Sequence, residues 1–266
     1  MELAPPELVA VAAQAGYDSV GLRLIPVAGQ TLPPFEARDL ERRLAETGIK
    51  VLDVEVFRVS PDMPDYEPML EAAGRLGATE ILVHGADPDA ARLAQNFGAL
   101  CERAARYGLN ASLEPMPWVE VSTVAKAKRV IERAGKGALL IDPIHFYRAD
   151  NRLDELAGAP LRYLQFCDAH PGRPTETAEL IRQARGDRLF PGEGALDLRA
   201  LLDAVPAHLP ISVEIPYAKP MAPLERAKRA LAATRELLIS AAGCVDPGRG
   251  RATPPSASHA PCSRGS

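Results

Sequence analysis

Seven short apolar runs, each parted from the next by helical sequence, constrain this chain more than any other feature. They cover residues 19–24, 51–57, 80–84, 110–114, 137–142, 161–167 and 210–214. Amphipathic or charged segments at 35–47, 68–76, 89–107 and 121–134 fill the first intervals. A short helix near 153–156, a longer excursion at 175–185 and a helix at 198–205 fill the later ones. A helix opening at Pro5 and stopping at Gly16 starts the chain, and one over 223–239 closes the periodic part. Strict alternation of this kind predicts a parallel sheet with crossover helices. At 266 residues, 47% of them hydrophobic, one α/β domain over 1–242 can bury a full core. From Gly243 the composition turns to Gly, Pro, Ser, Arg and Ala, which predicts a disordered tail over 243–266.

Side chains alternate across a strand, so residues two apart share a face. In a barrel one face meets the helices and the other the interior. Val20, Leu22 and Leu24 form an apolar set that leaves Arg23 on the other face; Val54 and Val56 likewise oppose Asp53 and Glu55. Carried through all seven strands, this parity aims Arg23, Glu55, His84, Glu114, Asp142, Gln165 and Glu214 at the interior near the carboxyl ends. A single acid ending a strand commonly caps the next helix. Seven polar tips of one parity on one rim require a different account, because buried carboxylates are costly without a cation. Glu114, Asp142, Gln165 and Glu214, on the last four strands, make an oxygen-rich set suited to Mn²⁺, Mg²⁺ or Co²⁺ more than Zn²⁺.

At these residues the sequence resembles the xylose-isomerase-like TIM barrels, the sugar phosphate isomerase/epimerase family. The resemblance rests on Ser112-Leu113-Glu114-Pro115, Asp142 with His145, and Tyr163-Leu164-Gln165-Phe166-Cys167-Asp168. Pro191-Gly192-Glu193-Gly194 and Ser212-Val213-Glu214 complete it. It implies a (β/α)8 barrel in which Glu114, Asp142, Gln165 and Glu214 ligate one divalent metal. Glu114 and Glu214 would also be the proton-transfer pair, while His145, in the rim loop, and Arg188 would contact substrate. The implied chemistry is isomerisation or epimerisation of a sugar, sugar phosphate or keto-polyol. A metal on the carbonyl and its neighbouring hydroxyl acidifies the shared C–H and stabilises the enediolate. Many members carry histidine where this chain has Gln165; glutamine occurs in dehydratases of cyclic keto-polyols related to 3-dehydroshikimate or inosose, so a lyase is the alternative. A non-catalytic binding barrel is the third reading. The family's first strand has no counterpart ahead of the opening helix, which we expect to reflect a truncated gene model.

Other residues admit two roles. Glu55 either binds a substrate hydroxyl or pairs with Arg23, and Trp118 either stacks on a sugar or packs on the next helix. His84 is a substrate contact or a hydrogen-bonded neighbour of the site, and Asp168 is expected to orient the site from behind. A net charge of −4 and a pI near 5.8 argue against nucleic acid, and the shortness of every apolar run against a membrane span. Four scattered cysteines without a C-x-x-C pair fit a reducing compartment, and the N-terminus lacks a signal-peptide pattern. The expectation is a cytoplasmic enzyme acting on a small polyhydroxylated substrate, with homo-oligomerisation left open.

Overall fold

The computed structural model describes residues 3–24 and 32–242. The expectations for the tail, including Cys244, His259 and Cys262, lie outside the described residues. Chain order runs α1 (Pro5–Ala15), β1 (Ser19–Arg23), α2 (Ala37–Thr47), β2 (Lys50–Val59), α3 (Glu67–Arg75) and β3 (Glu80–Gly85). It continues with α4 (Ala90–Ala105), β4 (Asn110–Leu113), α5 (Val124–Ala134), β5 (Ala138–Ile141), α6 (Pro143–Arg148) and β6 (Leu161–Phe166). Last come α7 (Thr177–Gly186), α8 (Leu198–Asp203), β7 (Ile211–Val213) and α9 (Pro223–Ala242).

Seven parallel strands pair in sequence order, β1 to β7, and curl into a nearly closed barrel under the helices. Among the described residues β1 and β7 do not pair, and other groups hold the seam. The Tyr17 hydroxyl of the α1–β1 turn donates to the Ala227 carbonyl of α9 at 3.0 Å. Arg23 Nη2 lies 3.9 Å from Glu214 Oε1 across the same gap.

Strand alternation sorts the apolar residues into two layers. Val54, Ile81, Val83, Ala111, Leu113, Leu139, Ile141 and Leu164 face the helices in one continuous core. Full burial of each large aliphatic or aromatic side chain there contributes about 1.5–3 kcal/mol. Leu82, Leu140 and Tyr163, flanked by Leu52 and Val56, fill the barrel interior. Glu80 closes the floor beneath them, accepting from Arg162 Nε at 2.6 Å and Ser112 Oγ at 3.2 Å.

Register shifts in β2 and in β6, and the shift that follows Val54 in β2 has the largest consequence for the pocket. Val54 pairs with Ile81, but the next outward pair is Phe57 with Val83, so β2 carries an extra residue at this point. Such irregularities re-aim the residues that follow. Val56, expected on the helix side with Val54, instead joins the interior cluster, and Phe57 and Val59 face the helices. Arg58, between them, therefore shares the inward parity of His84, its register partner on β3.

Asp53 sits in this interior layer at 1% exposure. A Cβ on Gly21 would lie 2.2 Å from its Oδ1, so the bare Cα of Gly21 is what admits the carboxyl group. Burial, reinforced by the neighbouring Glu55 charge, pushes Asp53 up to about 8. Between the unfolded carboxyl's ordinary range and about 8, the folded chain holds a proton that the unfolded chain has released. Stability therefore falls as pH rises through that window. Asp53→Asn should remove this slope: in urea titrations it should gain on the wild type between pH 4 and pH 8, reaching about 1–3 kcal/mol at the upper end. Equal stabilities at both pH values would show that Asp53 ionises freely.

Candidate active site

The interior residues at the carboxyl ends of the strands build one pocket, and Asp142 shows how. The apolar run of β5 ends at Ile141, and Pro143, with its fixed φ, starts α6 immediately afterwards. Asp142 is the N-cap between them, its Oδ1 accepting the Ile144 amide at 3.0 Å. The other oxygen, Oδ2, accepts from Arg188 Nη1 at 2.5 Å. Capping and site chemistry thus share one carboxylate.

This short helix also relocates His145. Three residues along a strand reverse the face, which is why the sequence suggests a rim loop for it. On a helix, positions i and i+3 are neighbours. His145 Nε2 accordingly lies 3.8 Å from Asp142 Oδ2 and 3.8 Å from Glu114 Oε1. All three residues are buried, and one ligating atom from each falls within 4.8 Å of the others. Glu114 Oε1 and His145 Nδ1 are buried without hydrogen-bond partners among the described residues. Trp118, in the loop after β4, makes an edge-on contact with the His145 ring, centroids 4.9 Å apart.

Arg188 ties the opposite side together. Its Nε donates to the Ala184 carbonyl at 2.7 Å, and its Nη2 lies 3.0 Å from Glu214 Oε2. The guanidinium therefore bridges Asp142 and Glu214. Cys167, also buried, places its thiol 3.6 Å from Asp142 Oδ1. Arg23 pairs with Glu55 at 3.0 Å, the ion-pair role of the two open for Glu55. Gln165 is buried on β6 with the interior parity of Tyr163, in register with Ser212 of β7. His84 tops β3 with its Nδ1 buried and unpartnered among the described residues. Asp168 stands behind the pocket and accepts four backbone amides: Ala169, Gly192, Gly194 and Leu196, at 2.8–3.1 Å. It thereby pins the Pro191–Gly194 turn.

The charges are unequally compensated. With every carboxyl ionised, the four acids of this network (Glu55, Glu114, Asp142, Glu214) would exceed its two guanidiniums (Arg23, Arg188) by two negative charges. Burial acts to raise Asp142, but Arg188 and His145 outweigh it and hold the group below its ordinary range. Glu114 has no such partner; burial, then the Asp142 and Glu214 charges, drive it well above the ordinary carboxylate range. Burial lowers His145 to about 4 against the pull of Asp142, leaving a neutral imidazole at pH 7. Glu214 is raised to about 7 by burial, with Arg188 opposing and Glu55 reinforcing.

A divalent cation fits this donor set. Two carboxylates and a neutral imidazole are ordinary ligands, the Glu114 oxygen lacks any other partner among the described residues, and the excess charge matches. Glu114, Asp142 and His145 would hold such an ion; Glu214, assigned to it by family resemblance, falls outside this compact group of acids and imidazoles, and Gln165, the fourth residue so assigned, is buried on the adjoining strand β6. The helix bringing His145 inward was detectable in the sequence as Asp followed by Pro, the cap and first helical position.

Fold and site together define a (β/α)-barrel of the enzyme type, with a buried acidic pocket at the strands' carboxyl ends. Residues 9–237 match the family described as Xylose isomerase-like TIM barrel, and the chain belongs to that family. It is 28% identical over 234 residues to a 3-dehydroshikimate dehydratase of Pseudomonas aeruginosa. That match covers 79% of this chain and 36% of the relative, so the chain spans about a third of the curated protein's length. Among solved structures, the IOLI protein with a bound zinc atom superposes with a TM-score of 0.74 at 18% identity, covering 90% of this chain and 94% of that one. An L-ribulose 3-epimerase gives 0.68 at 19% identity, covering 94% and 95%. A xylose isomerase-like TIM barrel/4-hydroxyphenylpyruvate dioxygenase fusion protein gives 0.71 at 22%, covering 96% of this chain and 45% of that one.

Divalent-ion binding should be proton-linked, because Glu114 must release its proton to bind. Calorimetry with Mn²⁺ at pH 7 in buffers of different ionisation enthalpy should show proton release that Glu114→Gln abolishes along with tight binding. At a hundredfold excess over Kd the ion should stabilise the fold by about 2.7 kcal/mol. Heats independent of buffer would contradict this.

Proposed function

We propose that the protein is a divalent-metal-dependent lyase that removes a proton beside a carbonyl and eliminates water from a cyclic hydroxylated keto compound of the 3-dehydroshikimate kind. The observation that carries the reading is the unequal exposure of the site's carboxylates. The Glu114 and Asp142 side chains are shut in at 4% and 0%, whereas Glu214 keeps 27% of its side chain open to the mouth. Substrate entering the barrel meets Glu214 first.

A bound divalent ion would polarise the substrate carbonyl and offset the negative charge that develops there. Glu214, raised to about 7, is matched to accepting a C–H proton near neutral pH. Arg188, locked by Asp142 and the Ala184 carbonyl, orients that carboxylate without following it. His145 and Trp118 form a wall of the pocket, and the proton that Glu214 has accepted is the one returned to the departing hydroxyl. The C–H bond and the C–O bond break, the new C=C bond forms, and proton and hydroxide leave as water. Gln165 and the curated relative's activity favour elimination. The epimerase reading is supported by Glu114 and Glu214 lying on different strands as two carboxyl groups around one pocket.

Mn²⁺, Mg²⁺ or Co²⁺ is the ion we expect; His145 among the donors also suits zinc. Cys101 and Cys167 are buried and free, and no described helix is long and apolar enough to cross a membrane. We place the enzyme in the cytoplasm on that basis, with a small polyhydroxylated molecule as its partner.

Turnover of 3-dehydroshikimate, followed as the gain in ultraviolet absorbance on aromatisation, should require added divalent ion and stop with a chelator. Glu214→Gln should lower kcat by about 10²–10⁴-fold. Incorporation of solvent deuterium into a ketose without elimination would replace the lyase reading by the epimerase one.

A further inference from the structure

Two halves of the pocket come from different parts of the chain, and one buried side chain joins the elements that carry them. Asp142 and His145 belong to α6 and its cap, whereas Arg188 follows α7. Arg148, the last residue of α6, is buried, and its guanidinium donates in three directions. Nε donates to Gln183 Oε1 of α7 at 3.2 Å, Nη2 to the His170 carbonyl at 2.7 Å, and Nη1 to the Gly172 carbonyl. The backbone is engaged as well, the Arg148 carbonyl accepting from Arg173 Nε at 3.1 Å. All three side-chain acceptors are neutral, and no carboxylate among the described residues forms an ion pair with Arg148.

These bonds belong to a closed ring. Gln183 Nε2 donates to Glu179 Oε1 at 2.9 Å, and Arg182 Nη2 reaches both Glu179 Oε1, at 2.8 Å, and Asp187 Oδ2, at 3.0 Å. Asp187 Oδ1 lies 3.3 Å from His170 Nε2, and the His170 carbonyl leads back to Arg148. The ring brackets the anchor of Arg188. Gln183 precedes Ala184, whose carbonyl takes Arg188 Nε, and Asp187 precedes Arg188 itself. A guanidinium buried against neutral acceptors adds little net stability, because desolvation opposes its hydrogen bonds. What it supplies is direction: a planar fork holds three partners at fixed angles, which an ammonium does not.

We propose that Arg148 is a positioning residue that fixes α6 against α7 and thereby sets the Asp142–His145 pair against Arg188. It acts through those three residues and not on the substrate. Its effect on ion binding rests on the donor set described above, and its effect on turnover on the lyase reading. Asp142 Oδ2 is where the two halves meet, 2.5 Å from Arg188 Nη1 and 3.8 Å from His145 Nε2. A displacement of α6 changes the first separation directly and moves both of its own ligands relative to Glu114. Groups that orient metal ligands from behind typically set ion affinity or rate by about 10–100-fold.

Three substitutions test this, read by Mn²⁺ calorimetry, near-ultraviolet circular dichroism and turnover of 3-dehydroshikimate. Arg148→Lys keeps charge and approximate length but loses the fork. Arg148→Ala opens a cavity that free guanidinium ion can refill, and Gln183→Met cuts only the arm to α7. Arg148→Lys should weaken Mn²⁺ about tenfold or more and lower kcat by a similar factor, with KM within about threefold and thermal unfolding near that of the wild type. The near-ultraviolet signal of Trp118, the only tryptophan, should change with it, because that ring stands edge-on to His145. Guanidinium chloride at a non-denaturing concentration should recover part of the Mn²⁺ affinity of Arg148→Ala and leave the wild type unaffected. If Arg148→Ala does not fold, Gln183→Met should show the Arg148→Lys pattern at smaller amplitude. Unchanged Mn²⁺ affinity and Trp118 signal in Arg148→Lys, or lost stability without a change in either, would overturn the proposal. A wild type that binds no Mn²⁺ would overturn the ion site, and the Trp118 signal would then decide the role of Arg148. Absent elimination with Arg148-dependent Mn²⁺ binding intact would instead overturn the lyase reading and leave the positioning role standing.

Discussion

The site depends on one buried cation. Arg188 is 3% exposed and yet fully engaged: Nε on a carbonyl of α7, one terminal nitrogen on Asp142, the other on Glu214. A guanidinium can do this because its donors are fixed in a plane; an ammonium has the charge without the fork. Taking such a group out of water is expensive, and only matching carboxylates offset the expense. The pairing in turn fixes which acids remain unbalanced. Asp142 is held ionised, Glu214 is half-satisfied, and Glu114 receives almost nothing. The chemistry proposed for the pocket starts from that inequality.

Arg188 holds its place because the loops around it are tied from below and behind. Asp168 gathers four amides of the following turn, and residues 168 and 189 exchange backbone hydrogen bonds. The chain just after Arg188 is thereby clamped to the end of β6. On the far side Glu80 and Arg162 stop the barrel floor. The pocket is therefore a cup open at one end, with rigid walls and charged groups placed by backbone rather than by long flexible side chains.

Much of this could be read from residue order. All seven strands were legible because each is a short apolar run between helical segments, and the polar tips followed from alternation alone. The misreadings have physical causes. Val56 turned inward because β2 has one residue more than β3 across the same span, and no composition signal marks an extra residue. Arg58 stayed hidden for the same reason. Strand geometry carried past Pro143 puts His145 in a loop, whereas helical geometry begins at Pro143. The pairing of Arg188 with Asp142 joins residues 46 apart in the chain, and only closure of the barrel brings them together.

Gly21 and Asp53 show how such a core limits change over time. The carboxyl oxygen occupies the space where any side chain on residue 21 would begin. Position 21 is thus not free to drift while Asp53 remains, and Asp53 sets the size of what its neighbour can become. Replacement would have to pass through a smaller residue at 53 before a larger one at 21. The two positions form a single heritable unit, and the order of substitutions, not only their identity, decides which descendants of this barrel can fold.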